Sequence, residues 1–192
     1  VDWGKAEAED WYRMGMNELT NKVDIFEIKV SNDSLSALIG IKSISNFSRS
    51  SDIVINKFEY YFSNDGSVKI NHKMTPLGSY NVSWMPCMGV ALKMPSEYQN
   101  VLWYGRGPYE NYVDRNTGAK IGIHAVKVDS VQLPYIEPQG YGNYSEVRWC
   151  EIKNENGNGV KITTDSAFDF SAVPYYNLER AKYNYQLLKD NF

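Results

Sequence analysis

The chain has 192 residues, of which 43% are hydrophobic and 22% are charged, as is usual for a globular protein. Its 20 Lys and Arg residues against 23 Asp and Glu residues leave a net charge of −3, which argues against binding nucleic acid or an anionic membrane by bulk charge. It contains no run of about 20 apolar residues, so we expect neither a transmembrane nor a collagen-like protein. The aromatic share of 14%, with 15 Tyr, favours β structure and polar-faced binding surfaces.

The first 20 residues differ in pattern from the rest. Residues 5–14 lack Gly and Pro and are rich in helix formers. Trp11, Met14 and Leu19 fall at near-helical spacing, which predicts one short helix or turn. Beyond residue 22 the apolar residues repeat every second position, although Phe26 interrupts the alternation of the first strand. Strands are therefore predicted over residues 23–30, 35–45 and 52–62.

A hairpin signal follows at Asn64-Asp65-Gly66, because Asp-Gly supplies the positive φ angles of tight turns. After it, apolar residues and His72 alternate with polar ones over residues 68–74, as in a half-buried strand. A second hairpin signal lies at residues 154–159, and a helical turn is predicted at residues 178–182. Further strands are predicted over residues 88–92, 101–104, 121–128, 146–152, 159–163 and 167–172.

Ten or more short strands with few helices predict an all-β fold, a large antiparallel sandwich. The chain has no linker, low-complexity stretch or internal repeat, so we predict a single domain over residues 1–192.

The cysteines Cys87 and Cys150 leave two alternatives open. A disulfide between them would stabilise the chain and imply an oxidising compartment. We favour two buried free thiols. Neither cysteine belongs to a CxxC pair, which excludes a zinc ribbon and a thioredoxin-like motif.

Residues 101–115 form the densest polar and aromatic stretch. Glycines and Pro108 must end the strand there, so an ordered loop follows. Aromatic rings that stack on a pyranose, together with guanidinium and carboxylate groups that bind its hydroxyls, would suit a sugar site. The same groups can instead satisfy one another and the backbone, and we favour this scaffold interpretation.

A second cluster covers residues 133–149. Pro134 and Pro138 exclude a central strand, so the segment crosses in extended form toward the strand at Val147. Glu137, Gln139 and Glu146 could line a polar cleft with Tyr135, Tyr141 and Tyr144 as platforms. We favour an edge loop covered by aromatic residues.

No active site follows from these patterns alone. A glycosidase needs two carboxyl groups about 5–5.5 Å apart for retention or about 6.5–9.5 Å apart for inversion. The sequence places no two of its candidates at such distances. His72 and His124 lie on predicted strands without a nearby metal-type ligand, and we interpret both as ordinary sheet residues. The candidate carboxylates are Glu110, Asp114, Glu137 and Glu146.

Residues 103–115, Trp-Tyr-Gly-Arg-Gly-Pro-Tyr-Glu-Asn-Tyr-Val-Asp-Arg, resemble the W-x-G-x-G-P-x-E-N-Y-x-D-R signature of the small domain of glycoside hydrolase family 2 β-galactosidases. Further matches follow in the family's order: a P-Y-x-x-P-Q-x-x-G-N segment over residues 134–143, a V-R-W strand at residues 147–149 and an F-x-F-S-A-x-P-Y ending over residues 168–175. Residues 11–19 resemble the family's W-x-x-A-G-L-x-x-L helix, with Met14 and Met16 in place of Ala and Leu.

The resemblance implies a galactose-mutarotase-like supersandwich and a parent enzyme that cleaves terminal β-D-galactosides with retention. It also implies that the catalytic glutamates, and any Mg²⁺ or Na⁺, belong to a separate TIM barrel. The chain has no alternating βα pattern, so we expect a fragment of the C-terminal domain, inactive alone and without a cofactor or metal site. The family's substrate-site tryptophan would follow residue 192.

The implied partners are the TIM barrel of the same polypeptide, a β-galactoside or galactose, and further copies of the full enzyme, but neither nucleic acid nor a membrane. We expect a soluble protein, either cytoplasmic or periplasmic. Alternatives are a free-standing carbohydrate-binding or aldose-epimerase-like module and a pure interaction module.

No catalytic residue is assigned to this chain. Our hypothesis is that Arg106 and Arg115 form ion pairs with Glu110 and Asp114 and thereby lock the loop. The residues predicted to bind carbohydrate or to form the structural signature are Trp103, Arg106, Tyr109, Glu110, Asn111, Tyr112, Asp114, Arg115, Glu137, Gln139 and Asn143.

Overall fold

The computed structural model describes residues 7–79, 89–131 and 141–174. The chain divides into two compact units, Val1–Val90 and Ala91–Phe192. The described residues form one α-helix, a short 3-10 helix at Val128–Ser130 and eight strands in two antiparallel sheets, which confirms the predicted all-β class. The single domain over residues 1–192 stays a prediction.

The elements of the first unit are α1 (Glu7–Met14), β1 (Thr20–Val30), β2 (Ser36–Asn46), β3 (Ile53–Ser63) and β4 (Val68–Leu77). The predicted helix is confirmed and ends where Gly15 takes a φ of +79°, which favours glycine. Met14, at its last turn, packs with Phe47 and Val54 in a small core.

Strands β1 to β4 form a sheet in chain order, because each strand is joined to the next by a short connection. The hairpin predicted at Asn64-Asp65-Gly66 is confirmed: Gly66 has a φ of +83°, and the Ser63 amide donates to the Ser67 carbonyl at 3.0 Å. The register of β1 against β2 shifts between Val23 and Ile25, which marks a β-bulge. This bulge explains why Phe26 interrupts the alternation.

The second unit contains β5 (Asn100–Gly107), β6 (Lys120–Lys127), β7 (Asn143–Lys153) and β8 (Gly159–Ser171), arranged in the order β6-β5-β7-β8. Its core contains Val101, Trp103, Val147 and Cys150, none of them more than 2% exposed. The hairpin predicted at residues 154–159 is confirmed, since the Asn154 side chain accepts hydrogen bonds from two amides of the turn.

Several predicted elements need correction. The strand predicted over residues 88–92 is wrong for residues 89–92, where no strand forms and Val90 and Leu92 are exposed. The strands predicted over residues 159–163 and 167–172 are one strand, β8, because its ladder with β7 continues past an irregularity between Val147 and Trp149. The helical turn predicted at residues 178–182 lies outside the described residues.

Cys150 is fully buried and unpaired among the described residues. Burial raises the pKa of its thiol to about 11. Cys87 lies outside the described residues, so the state of the pair stays a prediction. None of the described helices is long and apolar enough to cross a membrane.

Candidate functional site

The candidate site lies where β5 ends and its loop meets the start of β7. Trp103 is fully buried, with its ring centroid 4.1 Å from that of Tyr144, and its indole nitrogen donates to the Arg106 carbonyl at 2.9 Å. Gly105 permits the close approach of β7, since a Cβ atom there would lie 2.7 Å from Val147 Cγ2. Trp103 therefore belongs to the core rather than to a sugar-stacking surface.

Arg106 joins the loop to β7. Its Nε donates to Glu146 Oε1 at 2.5 Å and its Nη1 donates to the Ala119 carbonyl at 2.8 Å. Both side chains of the ion pair are partly exposed, at 25% for Arg106 and 40% for Glu146. The pair therefore serves mainly to fix geometry, because exposed ion pairs contribute little net stability.

The partner of Glu110 is Arg115, whose Nη2 donates to Glu110 Oε1 at 3.0 Å. Glu110 Oε2 accepts the Gly142 amide at 2.7 Å, and the Glu110 side chain is only 11% exposed. The Glu110 carboxylate thus holds the loop against the segment that leads into β7. Of the ion pairs predicted between the two arginines and the carboxylates Glu110 and Asp114, only that of Arg115 with Glu110 is seen among the described residues, and Arg106 pairs with Glu146 instead.

Asn111 is the most buried polar residue of the loop, at 1% exposure. Its Nδ2 donates to the Tyr109 carbonyl at 2.9 Å, and its Oδ1 accepts both the amide and the hydroxyl of Ser145, at 3.0 and 2.5 Å. The backbone amide of Asn111 donates to the backbone carbonyl of Asn143 at 2.8 Å. In return, Asn143 Nδ2 donates to the backbone carbonyl of Asn111, also at 2.8 Å. Both signature asparagines therefore join the loop to β7.

Ser145 and Asp169 take part in this network, and sequence reasoning missed both. Asp169 accepts from the Glu146 amide at 3.3 Å and from Asn143 Nδ2 at 3.4 Å. Glu146 has a φ of +51°, at a register irregularity of β7. The one available signal was position: Asp169 lies inside the F-x-F-S-A-x-P-Y motif, and Ser145 lies between the segment that ends at residue 143 and the V-R-W strand.

The ring of Tyr112 lies beneath Arg115, with the guanidinium carbon 4.5 Å from the ring centroid. Burial, and then the charge of Glu110, raises the pKa of Tyr112 above its ordinary value. The same two causes raise the pKa of Tyr144 to about 12. Both phenols therefore stay protonated at neutral pH.

The outer side of the loop is open. Tyr109 and Val113 are 80% and 81% exposed, and Asp114 is also exposed, without an ion pair to either arginine in the part of the chain that the structure describes. A pocket of about 200 Å³ is lined by Tyr109, Glu110, Asn111, Arg115, Gly118 and Ala119.

The remaining sequence candidates are Glu137, Gln139 and the two histidines. Glu137 and Gln139 lie outside the described residues. His72 stacks on Phe58 in the first sheet, with ring centroids 4.0 Å apart, whereas His124 Nε2 contacts the Lys120 carbonyl at 3.1 Å. Within residues 7–79, 89–131 and 141–174, no group of three or more His, Cys, Asp or Glu side chains could hold a metal ion.

The profile of the family described as "Beta galactosidase small chain" matches residues 2–192. A β-galactosidase of Priestia megaterium is 37% identical over 126 residues, which cover 66% of this chain and 12% of that protein. A β-galactosidase of Halalkalibacterium halodurans is 32% identical over 141 residues, 71% of this chain and 14% of that protein. A β-galactosidase of Vibrio cholerae is 24% identical over 180 residues, 93% of this chain and 16% of that protein.

Proposed function

Because the chain belongs to the beta-galactosidase small-chain family, we propose that it is a C-terminal accessory domain of a larger β-galactosidase. The chain spans only 12% and 14% of the first two relatives, which leaves most of such a protein to other domains. The proposed parent hydrolyses terminal β-D-galactosides with retention. We place its catalytic glutamates, and any Mg²⁺ or Na⁺, in a TIM barrel that precedes this domain.

This proposal rests on one observation: polar side chains of the signature, residues 103–115, bind other groups of this chain. Glu110 binds a guanidinium and a backbone amide, Glu146 binds Arg106, and Asn111 binds Ser145. A general acid or nucleophile must instead reach the substrate. The arrangement suits a scaffold that fixes one loop, because losing a partner of the nearly buried Glu110 or Asn111 leaves a costly unpaired group.

The side chains that the scaffold presents outward suit a contact with another domain. The side chains of Tyr109 and Val113 project from a loop that Glu110 and Asn111 anchor to the chain around the start of β7. Asn111 Nδ2 holds the Tyr109 backbone, and an aromatic side chain on a fixed backbone loses less entropy on binding, which makes it a favourable interface anchor. We propose that this loop contacts the catalytic barrel or a neighbouring subunit of the parent.

The proposal is tested by comparing Glu110→Gln with Asp114→Asn, a matched control on the exposed side of the same loop. Glu110→Gln removes the negative charge opposite Arg115 and weakens the bond to the Gly142 amide, so we expect it to lower the melting temperature by several degrees, whereas Asp114→Asn leaves it unchanged.

Two further measurements, of hydrolysis and of galactose binding, test the proposed function directly. We expect no hydrolysis of a β-galactoside by the purified 192-residue chain, so turnover that survives purification would contradict the accessory role. An unchanged melting temperature of Glu110→Gln with a selective loss of galactose binding would contradict the scaffold role.

The second candidate is a carbohydrate-binding or aldose-epimerase-like module, and the pocket of about 200 Å³ beside Tyr109 favours its binding form. An epimerase needs an acid and a base at one sugar, commonly a His and a Glu. His124 contacts a backbone carbonyl and His72 contacts Asn56, which disfavours that chemistry. Titration with galactose and lactose, followed by tryptophan fluorescence, separates the two functions, because a saturable change at millimolar sugar requires the binding module.

A further inference from the structure

The hairpin between β7 and β8 contains both Asn-Gly pairs of the chain, Asn156-Gly157 and Asn158-Gly159. Asparagine followed by glycine is chemically labile, because glycine has no side chain to keep its backbone nitrogen away from the asparagine Cγ. The sequence by itself makes the two pairs equivalent, since a glycine follows each asparagine. The backbone geometry of the hairpin distinguishes them.

Asn156 lies in the exposed turn of the hairpin. The Gly157 amide donates to the Asn154 carbonyl at 3.0 Å, which closes a β-turn with Glu155 and Asn156 at its centre. Gly157 has a φ of +82°, and apart from its chain neighbours nothing lies within 4 Å of the position that a Cβ atom would take. Rotation about the Cα–C bond of Asn156 therefore breaks the turn bond from the Gly157 amide and moves that nitrogen through open space.

Asn158 is held at the end of the strand ladder. Its backbone amide donates to Asn154 Oδ1 at 3.0 Å, and its backbone carbonyl accepts from the Asn154 amide at 2.8 Å. Gly159 begins β8 opposite Lys153, so close to β7 that a Cβ atom on it would clash with the Ile152 carbonyl oxygen. Rotation about the Cα–C bond of Asn158 therefore breaks its bond to Asn154 and moves the end of β8 away from β7, which costs more than opening an exposed turn.

We propose that Asn156 is the site at which the folded chain deamidates. The Gly157 nitrogen loses its proton and forms a bond to Asn156 Cγ, and the side-chain nitrogen leaves as ammonia. A water molecule then opens the resulting succinimide ring at either of its carbonyl groups. The products are aspartate, or isoaspartate with one additional methylene group in the backbone, and no oxidant or reductant takes part. Each modified chain gains one negative charge.

The modification alters a turn whose order depends on Asn154. Asn154 Oδ1 accepts from the backbone amides of both Asn156 and Asn158, each at 3.0 Å. The additional methylene group of isoaspartate lies between those two amides and changes their spacing. The new carboxylate also lies next to Glu155, which accepts from Lys127 Nζ at 3.2 Å. Isoaspartate at position 156 is therefore expected to loosen the end of the hairpin, whereas aspartate preserves its backbone.

The proposal is tested by incubating the 192-residue chain at pH 8 and 37 °C in water enriched in oxygen-18. The tryptic peptide over residues 154–161 contains both asparagines of the Asn-Gly pairs, and its fragment masses locate each oxygen-18 atom that hydrolysis introduces. We expect modification at Asn156 to be at least ten times faster than at Asn158. In 8 M urea we expect the two rates to agree within about threefold, because the unfolded chain has neither the turn nor the ladder.

Two matched variants, each checked for folding by circular dichroism, repeat the comparison. Asn156→Gln is expected to remove the fast modification, because its longer side chain would have to close a larger ring, whereas Asn158→Gln leaves the rate at Asn156 unchanged. A ratio below ten in the folded chain, or no modification of Asn156 while the chain in urea reacts, would overturn the proposal. The same preference for Asn156 in urea would trace the selectivity to sequence and would overturn it as well.

Discussion

The most informative single substitution removes the side-chain amide of Asn111, which links the loop over residues 103–115 to β7. Asn111→Ala deletes the acceptor of two hydrogen bonds from Ser145 and the donor to the Tyr109 carbonyl, while Asn111 and Ser145 are each 1% exposed. A buried polar group that loses its partner costs about 1–3 kcal/mol. With two or three such groups, we expect the free energy of unfolding to fall by about 3–5 kcal/mol. For a chain of this size, this corresponds to a fall in melting temperature of about 10 °C.

Urea unfolding followed by tryptophan fluorescence measures this loss, because Trp103 is fully buried in the same unit. Asn156→Ala, in an exposed turn of that unit, is the control and should change the free energy of unfolding by less than about 0.5 kcal/mol. The double variant with Ser145→Ala should show a coupling of at least about 1 kcal/mol. A loss below about 1 kcal/mol for Asn111→Ala, or no coupling, would refute the role given to this network.

Two further predictions concern the core of the second unit. Gly105→Ala places a Cβ atom 2.8 Å from the Val147 backbone, so we expect a loss of about 2 kcal/mol or more in urea unfolding, against none for Gly118→Ala, which meets nothing within 4 Å. Burial holds the proton on Cys150, with a pKa of about 11 against an ordinary value of 9.0, so its contribution to stability is present below pH 9 and lost as the pH rises through 11. Unfolding measured from pH 8 to 11.5 should show this decline and Cys150→Ala should reduce it; an equal decline in both would contradict the assignment.

The sequence predicted the elements whose cause is local. The alternation of residues 68–74 correctly predicted β4. The Asp-Gly and Asn-rich segments correctly predicted both hairpins, because a turn needs only a few neighbouring residues with the right backbone angles. Residues 89–92 are a short apolar run but form no strand, since a strand also needs a partner. The family followed from motifs in one order along the chain.

The sequence alone determined that this is an all-β chain of a recognisable family, because periodicity, turn residues and motif order can be read without contacts. Only the tertiary structure decided which groups meet. Arg106 contacts Glu146, 40 positions away, and Asn111 contacts Ser145, 34 positions away. These partners depend on strand register and on the bulge at Glu146, where a shift of one residue reverses the direction of a side chain.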